Sequence, residues 1–266
     1  MPACDETHPR CDEQLLKLFR LRYSLSYVFI VFGGNIMSDI QTLHPTATAA
    51  ALAPERSRVL RNTYMLLALS LVPTVIGALV GVQFKFSFFA GSPFIGFMLF
   101  LAIAFGFFYA IEKTKNSVWG VAILLGFTFF MGLMLSRLLG MVLNMSNGGT
   151  LIATAFGGTS IIFVGMATLA GTIKRDLSSM GKFMMMGVLL LILAAVANIF
   201  LQIPALTLTI MVLAIGIFSA LLLYDVNRII TGGETNYVSA TLAIYLDIYN
   251  IFTNLLALLG ITSGND

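Results

Sequence analysis

An all-α membrane protein with seven spanning helices is the fold class this sequence predicts, and three observations predict it. Apolar residues make up 58% of the chain and charged residues only 10%, so apolar runs repeatedly exceed the roughly 18 residues that mark a membrane-crossing helix. Seven such runs follow one another from about residue 62 to residue 260. The segments between them are short and carry the Gly, Pro, Asn and charged residues that break helices, which leaves no room for a separate soluble domain.

The beginning of the chain is of another kind. In residues 1–36, Lys17, Arg20 and Arg22 precede a short apolar run, as in a signal peptide, but no convincing small-residue cleavage site follows. We read residues 1–36 as an upstream extension ahead of a start at Met37, because Gly33-Gly34-Asn35-Ile36 can be encoded by a purine-rich ribosome-binding sequence. Residues 37–58, with "HPTATAAALAP", lack a pattern that could bury a face and are expected to form a flexible cytoplasmic tail. Residues 59–266 then form the membrane domain. Cys4, Cys11 and His8, one of the two histidines, all fall within the first 36 residues. A disulfide framework or a His/Cys metal site in the membrane body is thereby excluded, and no cofactor is expected.

The seven runs are approximately 62–83, 93–111, 118–139, 150–173, 182–202, 205–227 and 238–260. Their separators are "AGSP", "EKTKN", "NMSNGG", "KRDLSSMG", "QIP" and "TGGETN". With the amino terminus inside, the cytoplasmic side collects nine basic residues, Arg56, Arg58, Arg61, Lys113, Lys115, Lys174, Arg175, Lys182 and Arg228, against Lys85 and Arg137 opposite. Positive residues are retained on the cytoplasmic side, so the amino terminus is expected there and the carboxyl terminus in the periplasm. The net charge of +3 follows from this topology and does not call for nucleic acid as a partner. Gly77 and Gly81 form a GxxxG in the first run, and Ala155, Gly158 and Gly165 recur at helical spacing in the fourth. Both patterns mark close helix approach, read here as internal packing in preference to dimerisation.

Two acids stand out. An ionised carboxylate in the middle of a spanning helix costs on the order of 3 kcal/mol, so it faces the bundle interior or water, or keeps its proton. Asp247 lies about ten residues into the seventh run, roughly 15 Å deep at 1.5 Å per residue. Ala240, Ala243, Asp247, Asn250 and Asn254 recur at steps of three and four and make one small or polar stripe, while Tyr245, Ile248, Tyr249 and Phe252 lie mostly elsewhere. A helix with such a stripe is expected to be surrounded by other helices. Asp225 stands near the cytoplasmic end of the sixth run with Arg228 one turn on, in position for a local ion pair. On consecutive antiparallel helices, Asp225 and Asp247 can approach and share a proton, which would make a proton-sensitive latch.

An intramembrane aspartyl protease would also use two aspartates on neighbouring helices, and Tyr224-Asp225 offers its "YD" pair. The second acid, however, stands in "IYLD" and not in G-x-G-D, and "PAL" at 204–206 precedes the sixth run instead of following the acids. No GxSxG, Walker loop or HExxH occurs either. An enzyme is therefore not expected.

"VLRNTYMLLALSL" at 59–71, "ATAFGGTSIIF" at 153–163, "KRDLSSMG" at 174–181, "VANIFLQIPAL" at 196–206 and "GGETNYVSATLAIYLDIYNIFTNLLALLG" at 232–260 together resemble the Bax inhibitor-1 family, and within it the bacterial branch of FtsH-protease modulators. The resemblance implies seven helices with the seventh central, enclosed by the other six. In the pH-sensitive calcium-leak members, the acids of the sixth and seventh helices form a proton-controlled pair, and by motif position these match Asp225 and Asp247. In the modulator branch those acids need not be retained, so this chain combines modulator-like surroundings with leak-type acids. Ser136-Arg137 stands where members often carry a proline, and Glu112 is an unassigned candidate for a gate charge.

The modulator resemblance implies a regulator in the bacterial inner membrane whose partners are FtsH and its prohibitin-like subunits, with the tail as the handle that an ATP-driven protease requires. The alternative is a pH-sensitive calcium or cation leak gated by the aspartates. Calcium takes hard oxygen ligands, and two carboxylates, Asp225 and Asp247, suit transient passage better than stable binding.

Overall fold

The computed structural model describes residues 49–84, 93–173, 175, 177–201 and 203–263. The expectations for residues 1–48, for Lys85 and for Lys174 lie outside the described residues. Within them the chain is all-helical: α1 Ala49–Gln83, α2 Pro93–Thr114, α3 Val118–Leu143, α4 Gly148–Thr172, α5 Ser178–Leu201, α6 Pro204–Thr231 and α7 Tyr237–Ser263. Among the described residues, α1 and α3–α7 are long and apolar enough to cross a membrane, and the protein is a multi-pass membrane protein.

The helices outrun the apolar stretches that revealed them, because hydropathy marks only the lipid-crossing part while the hydrogen-bond ladder continues to the caps. The largest difference is at α1. Its helix begins at Ala49 and so takes in residues 49–58, which the sequence reading assigned to the unstructured tail. Alanine-rich sequence favours helix even where no face is buried. At 35 residues, α1 exceeds the roughly 20 needed to span a bilayer, and its excess carries the exposed Arg56, Arg58 and Arg61.

The turns are fixed by polar side chains, of which Asn236 alone lies in a segment the sequence reading treated as a breaker. Ser117 caps α3, accepting from the Trp119 amide at 3.3 Å. Asn198 anchors the α5–α6 turn: its Oδ1 accepts from the Ile203 amide at 3.0 Å and its Nδ2 donates to Thr207 Oγ1 at 2.7 Å. Asn236 opens α7, its Oδ1 accepting from the amides of Val238 and Ser239 at 2.9 and 3.1 Å. Its Nδ2 reaches across to the Lys115 carbonyl at 3.2 Å and to Asn116 Oδ1 at 2.8 Å, so the α2–α3 and α6–α7 turns lie at one end of the bundle. Arg56 is at that end too, against Gly232.

Gly232 ends α6 with φ +85°, a left-handed conformation that costs any L side chain about 1–2 kcal/mol. A Cβ there would also lie 2.8 Å from Arg56 Nε. Gly232→Ala is therefore expected to lower the temperature at which the detergent-solubilised protein leaves its monodisperse peak by a few degrees; an unchanged temperature would refute this account of the turn.

The tightest crossing joins α1 to α3. A Cβ on Gly77 would collide with the Phe129 carbonyl oxygen, one on Gly132 with the Thr74 carbonyl oxygen, and one on Gly81 with Ser136 Oγ. Gly77 and Gly81 thus serve internal packing. Phe107 and Phe108 of α2 pack on Phe127 of α3 at ring distances of 5.6 and 5.4 Å.

α7 packs against α1, α2, α3, α4 and α6, while α5 packs against α6. The contacts therefore do not amount to enclosure of α7 by all six helices. Among the described large apolar side chains that are exposed, α7 contributes only Ile261, whereas α1 contributes Met65, Leu69, Leu71, Val72, Val75, Ile76 and Leu79. The difference in exposure separates an inward helix from one that faces lipid.

Candidate functional site

Antiparallel pairing of α6 and α7 across the five-residue turn 232–236 brings the two acids together. Asp225 lies less than two turns before the end of α6, and Asp247 about ten residues into α7, so the pair sits nearer the basic end of the bundle than the opposite end. Their side chains interact directly. Asp247 is only 3% exposed and Asp225 is half-buried. Asp247 Oδ2 has no hydrogen-bond partner among the described residues. A carboxyl oxygen left so in a low-dielectric interior is costly unless it carries or shares a proton, or meets a cation.

Arg228 departs from its expected role. Its guanidinium lies 3.4 Å from Glu234 Oε2 and its Nε donates to the Gly233 carbonyl at 3.1 Å. The local ion pair is thus with Glu234 and not with Asp225, because the left-handed Gly232 folds the turn back onto the last helical residues. Arg228 and Glu234 still act on Asp225 through space. The stripe amides also turn elsewhere: Asn250 Nδ2 donates to the Leu246 carbonyl and Asn254 Nδ2 to the Asn250 carbonyl, both at 2.8 Å. They satisfy their own helix and do not reach the acids.

Glu112 is exposed and paired with Lys115 one turn away, and Arg137 is exposed on α3; neither is brought to the carboxyl pair. Among the described residues, no group of three or more His, Cys, Asp or Glu side chains gathers in one place. Calcium takes six to eight oxygens, so two carboxyl groups are too few for a cage.

A second polar face of α7 escaped the sequence reading. Tyr245, 1% exposed, places its hydroxyl 2.8 Å from Thr74 Oγ1 of α1. Thr74 Oγ1 also lies 2.9 Å from the Ser70 carbonyl and the Tyr245 hydroxyl 3.5 Å from the Thr128 carbonyl of α3, so either hydroxyl can donate within the pair. Tyr249 donates to the Met131 carbonyl of α3 at 3.1 Å, and Thr241, whose hydroxyl donates to the Tyr237 carbonyl of its own helix at 2.6 Å, lies 3.3 Å from the Thr63 carbonyl of α1. The spacing 241, 245, 249 was the available signal. It was passed over because an aromatic ring in an apolar helix reads as packing until its hydroxyl is seen to have a partner. A further buried amide, Asn227, donates to the Ile173 carbonyl at 2.9 Å and the Ala170 carbonyl at 3.5 Å. It closes the carboxyl end of α4 from α6, satisfying carbonyls that no turn of α4 can reach.

Known proteins share this chain's pattern along nearly all of the described membrane body. "Modulator of FtsH protease YccA" of Escherichia coli K12 is 38% identical over 206 residues, which cover 77% of this chain and 91% of that protein. An uncharacterised protein of Neisseria meningitidis serogroup B is 36% identical over 225 residues, 84% of this chain and 99% of its own length. One of Pseudomonas aeruginosa is 37% identical over 219 residues, 82% and 96%. The profile of the family described as "Inhibitor of apoptosis-promoting Bax1" matches residues 56–264, from the arginines that open the α1 span to the end of α7, and with that extent of agreement the chain belongs to the Bax inhibitor-1 family.

Proposed function

We propose that the protein is an integral inner-membrane regulator that binds and modulates the FtsH protease complex, including its prohibitin-like regulatory subunits. The observation that carries this reading is the 38% identity to the FtsH modulator YccA over 91% of that protein's length. The basic residues at the Arg56 end support a cytoplasmic amino terminus, where a membrane-anchored ATP-driven protease would engage the chain. The handle on this reading is the stretch from Met37 up to the start of α1 at Ala49. Affinity purification of chromosomally tagged protein, extracted in mild detergent, is expected to recover FtsH and its prohibitin-like partners. Failure to recover them with the protein intact would refute it. Shortening the chain from Met37 toward Ala49 is expected to abolish the effect on FtsH substrates, while Asp247→Asn leaves it in place.

A second reading, a pH-sensitive calcium or cation leak, is favoured by one observation: the side chains of Asp225 and Asp247 interact, and Asp247 Oδ2 has no hydrogen-bond partner among the described residues. The charged groups that act on Asp225 are Asp247, Arg228 and Glu234. In reconstituted vesicles this reading expects calcium flux whose pH dependence disappears in Asp247→Asn and in Asp225→Asn, with no response to shortening of the tail. An unchanged pH profile in both variants removes its basis.

A further inference from the structure

One face of α3 is buried and the other is not. Leu124, Phe127, Met131, Leu135 and Val142 are buried, while Trp119, Ala122, Gly126, Arg137 and Met141 are exposed on the opposite side. Trp119 and Arg137 stand 18 residues apart. At 3.6 residues per turn that is about five whole turns, so the two lie on one line along the helix, and at 1.5 Å per residue they are about 27 Å apart. The hydrocarbon core of a bilayer is about 30 Å thick. The exposed face of α3 therefore carries an aromatic ring at the level of one membrane boundary and a cation at the level of the other.

Both levels have independent markers. Trp119 is in the first turn of α3, just after the α2–α3 turn that Asn236 holds at the basic end of the bundle, and an indole ring favours the boundary between lipid and water. Arg137 is placed by α1: Gly81 abuts Ser136 Oγ, and α1 ends two residues later, at Gln83. A cation on a lipid-facing surface needs a counter-charge. The ion pairs among the described residues are Lys115 with Glu112 and Arg228 with Glu234, and neither includes Arg137. The negative charge nearest to an exposed side chain at this level is the layer of lipid phosphates. A guanidinium meets phosphate oxygens as a planar fork, with two parallel hydrogen bonds. One turn on, a Cβ at Gly140 would meet nothing within 4 Å, which leaves the long arginine side chain room to extend toward the headgroups.

We propose that Arg137 binds a phospholipid of the leaflet opposite the basic end, its guanidinium holding the phosphodiester and the acyl chains running along the exposed face of α3 toward Trp119. With the indole at one boundary and the bound phosphate at the other, α3 sets the depth of the bundle in the membrane. The site is separate from the carboxyl pair, and it requires neither a protease partner nor ion passage, so it stands or falls independently of the proposed function.

Quenching of tryptophan fluorescence by brominated lipid tests it, on full-length protein in detergent stripped of co-purified lipid. Trp119 is the chain's single tryptophan, so Trp119→Phe with Met141→Trp moves the reporter to an exposed position one turn beyond Arg137. This reporter protein is expected to be half-quenched at about tenfold less brominated phosphatidylglycerol than the same protein with Arg137→Leu, the scale of a hydrogen bond to a charged group. Arg137→Lys should fall between the two, because it keeps the charge and loses the fork. Brominated diacylglycerol, which has the chains without the phosphate, is expected to quench all three proteins alike. Equal phosphatidylglycerol requirements with and without Arg137 would overturn the proposal, as would an equally large difference for diacylglycerol. Reversal of the quenching by inorganic phosphate would overturn it too, by making Arg137 a site for the free ion. If Arg137→Leu does not fold, the reporter protein alone decides, since it must be half-quenched at less phosphatidylglycerol than diacylglycerol.

Discussion

Gly132→Leu is expected to strip most of the folded protein from the membrane extract. An added Cβ would drive into the Thr74 carbonyl oxygen and crowd the backbone as far as Ala78, and neither α1 nor α3 can yield without losing the contacts along the rest of the crossing. Overpacking costs about 1–3 kcal/mol where side chains can shift. Here the obstacle is backbone, so a loss of about 3 kcal/mol, roughly 10 °C for a domain of this size, is the expected outcome. Thr74 is also hydrogen-bonded to Tyr245, so the same displacement loosens α7. The control is Gly140→Leu on the same helix, where a Cβ meets nothing within 4 Å. Size-exclusion profiles of heated, detergent-solubilised protein should separate the two variants. Equal behaviour would show that the α1–α3 approach is not what stabilises the bundle.

Asn227→Leu is the second large effect. The side chain is 1% exposed and supplies donors to the Ile173 and Ala170 carbonyls. Leucine has similar bulk but leaves those carbonyls without that donor in a buried site, at about 2 kcal/mol. The same assay should show a fall of roughly 5 °C. Asn227→Gln carries the same amide on a longer stem and tests whether its position matters as well as its chemistry. Wild-type stability in Asn227→Leu would mean that α4 and α6 are held together by apolar packing alone.

How much of this was legible beforehand differs from residue to residue. Asp247 was found because a charge in an apolar run is conspicuous, and it is buried at 3% exposure, as are Ala240 and Thr241 on the same helix. Arg228 was placed on the right turn with the wrong partner. Its distance along α6 allowed Asp225, and only the left-handed Gly232, which brings Glu234 back to within 3.4 Å, decided otherwise. Tyr245, Tyr249, Thr74 and Asn227 were not singled out, since each is ordinary in composition and gains meaning from a carbonyl or hydroxyl on another helix.

The amino-acid sequence by itself determined the all-helical class, the seven helices to within a few residues at most ends, the concentration of positive charge at one end, the family and the two acids. These are local or summed properties: apolar run length, breaker chemistry, charge counts and motif strings. The tertiary structure alone decided that Asp225 and Asp247 meet, that α7 carries a second polar face bound to α1 and α3, that Gly77 and Gly132 admit a backbone carbonyl, and that Asn227 completes α4. Those depend on which face of one helix meets which face of another, and residues on different helices carry no mark of their partner until the helices are packed.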